Sequence, residues 1–205
     1  MGGKGTDCGL NRMTFRAILL FGAPGSGKGT QGRILGAIPN FFHCPCGDVF
    51  RNLRLDSELG QVFAEYSSRG ELVPDGPTVR LWREFIEASR QAGRFNPETD
   101  TVVLDGIPRN LGQAEMLHDT LDVRAIFHLT CPARDKLVER LQRRALRENR
   151  LDDANLEVIR SRLATYERES KPVLDFYGPA RLRVIDATQS PIVVLREILT
   201  TLISL

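Results

Sequence analysis

A glycine-rich segment near the start of the chain has the composition of a phosphate-binding loop. It reads GAPGSGKGT over residues 22–30 and follows the apolar segment FRAILLF. Its four glycines allow the backbone to turn sharply and to direct successive N–H groups inward. A helix that starts there adds its positive N-terminus, and Lys28 adds a mobile charge for the β- and γ-phosphates. The segment predicts a polyphosphate site, since a flexible turn explains neither the lysine nor the strand-to-helix context.

The residue after this lysine departs from the general pattern of such loops. Gly29 stands where a serine or threonine commonly contacts magnesium, and Thr30 follows one position later. The chain also has no Asn-Lys-x-Asp motif for reading guanine. The sequence therefore does not favour a GTPase.

A second candidate residue, Asp105, follows the apolar segment TVVL and precedes Gly106 and Arg109. A carboxylate at the carboxyl edge of a parallel strand, beside a phosphate loop, is suited to hold magnesium or its waters. Alone, an Asp-Gly pair at a strand end indicates only a turn. Together with the phosphate loop, it predicts that Asp105 contacts Mg²⁺ through water.

Six arginines lie within residues 134–150. Arg140, Arg143, Arg144 and Arg147 are spaced at i, i+3, i+4 and i+7, so they share one face if the segment is helical. Taken alone, the pattern fits a solvated basic face or an RNA-binding patch. Beside a phosphate loop, a clamp on phosphates is the better interpretation, because a bound polyphosphate relieves the repulsion between like charges. We expect Arg143 and Arg147 to be the more exposed members.

Length, charge and composition exclude several classes of protein. The 205 residues include 28 Lys and Arg against 26 Asp and Glu, a formal net charge of +2, and 41% of them are hydrophobic. Disordered chains, and proteins that bind nucleic acid over a wide surface, have a larger net charge or fewer apolar residues. The longest apolar run has five residues, whereas a membrane-spanning helix needs ~20. We predict a single domain over residues 1–205, with neither nucleic acid nor a membrane among its partners.

Short apolar runs that alternate with helical patterns predict the elements that position these residues. The runs at 15–21, 101–104, 124–129 and 182–185 are typical of parallel strands covered on both faces, and a weaker one lies at 41–44. The alternation predicts an α/β fold. Helices are predicted at residues 28–37, 47–55, 57–69, 77–91, 111–121, 132–148, 153–177 and 191–202.

Prolines and aspartates mark the expected helix ends. Three prolines are predicted at the first helical position, and a pair of aspartates is predicted to cap the long helix at 153–177. Pro172 lies inside that helix and lacks a backbone donor, so we expect two helical pieces there. The helix-end predictions concern Pro77, Pro132, Pro191, Asp152 and Asp153.

Five motifs in order resemble the adenylate kinase family, whose members interconvert ATP and AMP with two ADP. The resemblance runs from residue 15 to the end of the chain. It implies a P-loop kinase fold, a five-stranded parallel sheet flanked by helices, with a helical NMP-binding insertion at 46–75 and a short lid at 141–151. The motifs are GAPGSGKGTQ at 22–31, CGDVFR at 46–51, GELV at 70–73, DGIPRNLGQA at 105–114 and NRLDD at 149–153.

On the donor side, the resemblance implies that the glycine-rich loop wraps the ATP phosphates. One of Arg140 and Arg144 is expected near the adenine and the other on the phosphates, while backbone near Ala187 contacts the ATP base. The implied ATP-binding residues are Gly25, Ser26, Gly27, Lys28, Gly29, Thr30, Arg140, Arg144 and Ala187.

On the acceptor side, the resemblance implies that Arg51 and Arg109 grip the AMP phosphate, while Arg150 and Arg162 close on the transferred phosphoryl group. The backbone of residues 71–73 and the side chain of Gln113 are expected to face the adenine. Arginine suits these positions because its planar group binds phosphate bidentately and keeps its charge. The implied AMP-binding residues are Cys46, Arg51, Glu71, Leu72, Val73, Gly106, Arg109, Gln113, Arg150 and Arg162, and the implied catalytic residues are Lys28, Arg109, Arg144, Arg150 and Arg162.

Two positions leave the acceptor base open. Cys46 stands where many members have Thr or Ser to contact the adenine, and a thiol is a weaker hydrogen-bonding group. An asparagine after Arg109, here Asn110, is similar to the motif of the pyrimidine-monophosphate kinases, whereas Gln113 favours adenine. A UMP, CMP or mixed-specificity kinase is therefore the alternative function. A weakly catalytic nucleotide sensor or RNA-associated protein is more remote, because a sensor needs no second set of cations.

The resemblance also implies a cofactor and partners. Mg²⁺ is expected with ATP as donor, and ATP, AMP and ADP are the expected partners of a cytoplasmic monomer. No zinc is expected, because the lid has no cysteine and Cys44 and Cys46 lack a second pair at zinc spacing. The first twelve residues lack an apolar secretory stretch. Residues 1–13 are expected to be a disordered leader, with a start at Met13 as the alternative. Gly2 and Cys8 match a short lipidation pattern, which is a weaker interpretation of the same segment.

Overall fold

A parallel β-sheet forms the centre of the computed structural model, which describes residues 14–148, 150 and 153–205. Within this part of the chain, five strands form one sheet in the order β2-β3-β1-β4-β5. The predicted strands and the α/β fold are confirmed, while the leader with Gly2 and Cys8 lies outside the described residues. The strands are β1 Phe15–Phe21, β2 Phe41–Pro45, β3 Thr101–Asp105, β4 Leu121–Thr130 and β5 Leu182–Asp186.

Helices connect the strands and cover both faces of the sheet. In the described residues these are α1 Lys28–Leu35, α2 Cys46–Arg51, α3 Glu58–Arg69, α4 Asp75–Gln91, α5 Leu111–Leu117, α6 Arg134–Glu148, α7 Leu156–Thr165, α8 Val173–Tyr177 and α9 Pro191–Ile203. Leu35 and Ile198 from α1 and α9 pack on one face, and Trp82 and Leu117 from α4 and α5 pack on the other. Burial on both faces explains why the strands are continuously apolar. Among these helices, none is both long and apolar enough to span a membrane.

Two of the three predicted proline starts are wrong. α4 begins at Asp75 rather than at Pro77, and α6 begins at Arg134 rather than at Pro132. Pro191 does occupy the first turn of its helix. Pro77 fits the third position of α4 because the first N–H groups of a helix have no partner within it.

Three helices are shorter than predicted. α1 ends at Leu35, α2 at Arg51 and α5 at Leu117. The reason for α5 is the sheet: Leu121 already belongs to β4 and pairs with Phe15 of β1. Tertiary pairing therefore overrides the helical pattern of residues 111–121.

The long helix predicted at 153–177 is divided, as Pro172 indicated. α7 begins after Asn155, whose side-chain oxygen accepts a hydrogen bond from the N–H of Glu157. The chain continues as a π-helix over Tyr166–Ser170, and α8 begins at Val173. Asn155 therefore takes the capping position that was predicted for the preceding aspartates.

The register of the sheet brings three chain segments together at one edge. Leu20 of β1 and Pro45 of β2 both pair with Asp105 of β3. The residues that follow these strands begin with Gly22, Cys46 and Gly106, so they meet at the carboxyl edge. The chain passes from β1 to β2 on one side of β1, and later from β3 to β4 on the other side. Such a reversal of strand order forms a ligand-binding crevice in open α/β sheets.

Candidate active site

The loop after β1 has glycine at three positions that disfavour any side chain. Gly22, Gly25 and Gly27 have φ angles of 144°, 83° and 102°, which residues with a Cβ rarely adopt. A Cβ at Gly22 would lie 2.5 Å from the carbonyl oxygen of Leu129, and one at Gly25 would lie 3.0 Å from that of Leu137. The predicted sharp turn is confirmed, and the loop fits closely against β4 and α6.

The first turn of α1 offers hydrogen-bond donors to an anion. Gly27 is the N-cap, and no acidic residue lies in the first turn. The free N–H groups and the helix dipole favour negative charge at this end. The buried hydroxyl of Ser26 has no hydrogen-bond partner in the described structure. The loop therefore has polar groups that a bound phosphate can satisfy.

Lys28 folds back over the loop. Its Nζ donates hydrogen bonds to the carbonyl oxygens of Gly22 at 2.6 Å and Ala23 at 3.1 Å. Burial lowers the pKa of Lys28 to about 8, although the nearby Asp105 carboxylate opposes the shift. The charged lysine is thus incompletely compensated in this cleft, and an arriving anion would stabilise it.

Asp105 lies at the end of β3, beside the phosphate loop. A Cβ on Gly29 would lie 3.4 Å from its Oδ2, and Nε2 of His43 lies 3.9 Å from the same oxygen. Burial raises the pKa of Asp105, but the His43 imidazole and the Lys28 ammonium outweigh it, so the net shift is downward. Asp105 is therefore an ionised carboxylate next to the loop, as a metal-associated residue must be.

Arg51 and Arg109 come together around Gly47. A Cβ on Gly47 would lie 3.1 Å from Nη1 of Arg51 and 3.5 Å from Nη2 of Arg109. The Nε of Arg109 donates a hydrogen bond to the carbonyl oxygen of Gly106 at 2.8 Å. A phosphate between these two guanidinium groups would accept several charge-assisted hydrogen bonds.

Asp48 joins these arginines to the segment that follows α6. Its Oδ1 accepts hydrogen bonds from Nη1 of Arg51 at 2.9 Å and from Nη2 of Arg150 at 3.0 Å. Arg150 also pairs with Glu148 at 2.6 Å. One carboxylate oxygen therefore connects α2 to the predicted lid.

A fully buried carboxylate, Asp153, binds two more of the predicted arginines. Its Oδ2 accepts a hydrogen bond from Nε of Arg144 at 2.6 Å, and its Oδ1 accepts one from Nη1 of Arg162. The prediction that Asp153 caps a helix is wrong. Its side chain, which has 0% exposure, turns inward because two cations compensate the cost of burying its charge.

The arginine face of α6 is confirmed. Arg140, Arg143, Arg144 and Arg147 all line the same cleft. Arg143 and Arg147 are the exposed members, as expected, and Arg143 pairs with Glu139. Arg140 and Arg144 are partly buried, so they are the two that lie deeper in the cleft wall.

Cys46 lies nearly buried in the cleft wall, with 3% exposure. Burial raises the pKa of its thiol to about 11, while Arg109 opposes this shift. The thiol is therefore protonated at neutral pH, and it offers a weak hydrogen-bonding group rather than a reactive thiolate.

One cleft of about 710 Å³ brings all the predicted site residues together. Its walls belong to the phosphate loop on one side and to α2 and the end of β3 on the other. The predicted residues that line it are Gly25, Ser26, Gly27, Lys28, Gly29, Thr30, Cys46, Arg51, Glu71, Leu72, Val73, Asp105, Gly106, Arg109, Gln113, Arg140, Arg144, Arg150, Arg162 and Ala187.

Three carboxylates around this cleft do not follow from the sequence: Asp48, Asp75 and Asp153. Each forms hydrogen bonds to side chains that line the cleft. Asp48 and Asp153 lie within two of the five motifs, and Asp75 lies two residues after GELV. Their proximity to those motifs is the signal that points to them.

Comparisons with known proteins agree with this geometry. Residues 20–181 match the family model described as adenylate kinase. An adenylate kinase from Cyanothece sp. is 38% identical over 179 residues, which cover 84% of this chain and 87% of that protein. One from Bifidobacterium longum is 37% identical over 82% of this chain and 89% of its own length. One from Porphyromonas gingivalis is 37% identical over 78% of this chain and 81% of its own length.

Proposed function

Because the chain belongs to the adenylate kinase family, we propose that it reversibly transfers a phosphoryl group from ATP to AMP and gives two ADP. This reaction maintains the balance of adenine nucleotides in the cell. The three relatives compared above are all named adenylate kinase. None of them favours the alternative of a kinase for UMP or CMP.

The main support from the geometry is the presence of two sets of cations in one cleft. Lys28 belongs to the loop on one side, and Arg51 and Arg109 surround Gly47 on the other. A protein that only bound ATP would have no use for the second set. Two phosphate-bearing ligands in the same cleft suit phosphoryl transfer, which depends mainly on positioning and electrostatic stabilisation.

On the donor side, the proposal assigns the ATP phosphates to the loop and the first turn of α1. Ser26 contributes a buried hydroxyl without a partner, and Lys28 contributes the charge. Arg140 and Arg144 extend the cationic wall along α6. Ala187, which follows β5 and is buried in the cleft wall, is assigned to the ATP base.

On the acceptor side, Arg51 and Arg109 are assigned to the AMP phosphate. The backbone of residues 71–73, Gln113 and Cys46 are assigned to the adenine. Arg150 is held against α2 by its hydrogen bond to Asp48. Arg144, Arg150 and Arg162 are the proposed cations for the transferring group.

No general base is needed for this reaction, because the attacking group is a phosphate oxygen that is already anionic. The arginines of the cleft spread positive charge around the transferring phosphoryl group as it moves. In general, aligning two bound reactants can contribute ~7–11 kcal/mol to lowering a reaction barrier. Accordingly, none of the three histidines is assigned a catalytic function.

The residues at the β3 edge fit Mg²⁺ that is bound together with ATP. Mg²⁺ usually keeps several waters and takes one or two carboxylates plus substrate phosphates, and Asp105 supplies one ionised carboxylate. The described residues contain no group of three or more His, Cys, Asp or Glu that would form a metal site by themselves. When bound, the ion would neutralise charge on the phosphates, and Asp105 would hold it through water.

The domain boundaries, the monomeric state and the cytoplasmic location belong to the same proposal. α2 and α3 lie within the proposed NMP-binding insertion at 46–75, and α6 supplies most of the lid at 141–151. Residues 149, 151 and 152 of the lid are outside the described part. Cys44, Cys46 and Cys131 are free thiols, which is typical of a reducing compartment.

A coupled assay with ATP and one monophosphate at a time tests the proposed activity. We expect kcat/KM for AMP to exceed that for UMP and CMP by about 100-fold, with activity lost when EDTA removes Mg²⁺. Rapid turnover of UMP or CMP with negligible turnover of AMP would contradict the proposal. Absence of turnover with every acceptor would instead indicate a nucleotide-binding protein.

The lowered pKa of Lys28 predicts that ATP binding takes up protons. In the ligand-free protein, Lys28 loses its charge as the pH rises through about 8. Bound polyphosphate favours the charged form, so binding at pH 8 takes up about half a proton and the affinity falls as the pH rises further. Calorimetry in buffers with different ionisation enthalpies measures this uptake. Lys28→Arg, which stays charged, is the control, and equal uptake by it and the wild type would contradict the prediction.

A further inference from the structure

Asp75, the first residue of α4, binds the side chain that is proposed to face the acceptor base. Its Oδ1 accepts hydrogen bonds from Nδ2 of Asn110 at 2.8 Å and from Nε2 of Gln113 at 3.0 Å. Both partners are amides, not cations. The carboxylate of Asp75 therefore orients two amide side chains and forms no ion pair with them.

Gln113 has a second contact that is fixed by the backbone. Its Oε1 accepts a hydrogen bond from the N–H of Arg109 at 2.8 Å. An ionised carboxylate can only accept and a backbone N–H can only donate, so a single orientation of the amide satisfies both. The side chain is 1% exposed. In a flipped amide, the Gln113 oxygen would face the Asp75 carboxylate and its NH2 group would face the N–H of Arg109, so buried polar groups would lose their hydrogen bonds.

Asn110 extends the same arrangement to the start of α5. Its Oδ1 accepts a hydrogen bond from the N–H of Gln113 at 2.9 Å, which caps the helix. Its Nδ2 donates to the Asp75 oxygen that also binds Gln113. Asp75 therefore holds both the side chain of Gln113 and the helix end from which it projects.

The fixed amide of Gln113 has one N–H and one oxygen lone pair left for a ligand in the cleft. The Watson–Crick edge of adenine offers an acceptor at N1 and an amino donor at the 6-position, which match this pair. Hypoxanthine has the same ring system but offers a donor at N1 and an oxygen acceptor at the 6-position. Only a flipped amide would match hypoxanthine.

We propose that Asp75 is a positioning residue for base selection: it locks the Gln113 amide in the orientation that accepts a 6-aminopurine and rejects a 6-oxopurine. This inference rests on the proposed function, because it requires the acceptor base to contact Gln113. Asp75 itself touches neither the base nor the reacting phosphates in this scheme. Its effect is on the choice between acceptors.

Asp75→Asn is the first test, with AMP and IMP as the acceptors. An asparagine has the same size but can donate or accept, so it permits both orientations of Gln113. We expect the ratio of kcat/KM for AMP to that for IMP to fall about tenfold, through a higher KM for AMP and a lower KM for IMP. The KM for ATP is expected to stay at the wild-type value. A purely structural defect would weaken both acceptors alike.

Gly112→Ala is a second variant that displaces Asp75 without changing it. A Cβ on Gly112 would lie 2.6 Å from Oδ2 of Asp75, and alanine is a better helix former than glycine. The matched control is Gly76→Ala, since a Cβ on Gly76 meets nothing within 4 Å. We expect the AMP preference to fall in Gly112→Ala and to stay unchanged in Gly76→Ala.

An unchanged ratio in Asp75→Asn, or equal losses for AMP and IMP, would overturn the assignment of Asp75 while leaving the proposed function intact. Failure of the wild-type enzyme to use AMP would overturn both. A measurement on the wild type alone covers the case in which the variants do not fold. NMR is expected to detect a scalar coupling across the hydrogen bond from the N–H of Arg109 to the side-chain carbonyl of Gln113, and its absence, as in a flipped amide, would contradict the proposal.

Discussion

Lys28→Ala is expected to lower kcat about 10³-fold and to leave the folded state intact. The Nζ of Lys28 binds the carbonyl oxygens of Gly22 and Ala23 in the phosphate loop, and within the described part of the chain no other lysine lines the cleft. Without it, the phosphate loop loses the side-chain cation that stabilises the negative charge on the donor phosphates. Burial already disfavours the charged lysine, so its removal has little cost for folding.

The coupled assay and circular dichroism together check this result. Lys136→Ala is the matched control, because Lys136 is exposed on α6 and lies outside the cleft; it is expected to retain wild-type turnover. Turnover close to the wild type in Lys28→Ala would mean that the loop does not bind the donor phosphates. Loss of the helical signal would mean that Lys28 is needed for folding.

Asp153→Ala is expected to reduce both stability and turnover. The change leaves Arg144 and Arg162 without the buried carboxylate that orients them. Breaking a buried ion pair by removing one partner typically costs about 3–5 kcal/mol of unfolding free energy. Because both arginines also lose their fixed positions, we expect kcat to fall about 100-fold.

Urea unfolding and the coupled assay measure the two effects separately. Asp56→Ala is the control: Asp56 pairs with Arg54 at 2.6 Å on the surface, and exposed pairs contribute little, so neither stability nor turnover is expected to change. Full turnover in a destabilised Asp153→Ala would show that the arginines find their positions without this carboxylate. Unchanged stability would contradict its structural importance.

The parts of the site that the sequence predicts are those with local causes. Glycine is required at 22, 25 and 27 because each of these positions has a positive φ angle, which is a local property of the turn. The spacing of Arg140 and Arg144 follows from the helical repeat, and Asp105 follows directly from an apolar strand. For these residues, the local backbone conformation that produces the sequence pattern also determines where the residue lies in the fold.

The carboxylates that orient the arginines and amides depend on partners far along the chain. Asp48 binds Arg150 across 102 residues, and Asp75 binds Gln113 across 38. Asp153 is closer to its partners, but its sequence context equally permits a helix cap. Only the packing of α6 against α7 brings two cations to it, and that packing cannot be derived from local propensity.

The ion pairs of Asp48 also change how nucleotide binding should be understood. The cleft contains its own counterion before any ligand arrives, since one oxygen already serves Arg51 and Arg150. A phosphate that binds these two arginines competes with the Asp48 carboxylate. A singly charged anion gains little by replacing a carboxylate, whereas a ligand with several negative oxygens gains more. We therefore expect Asp48 to disfavour the binding of small monovalent anions at this end of the cleft.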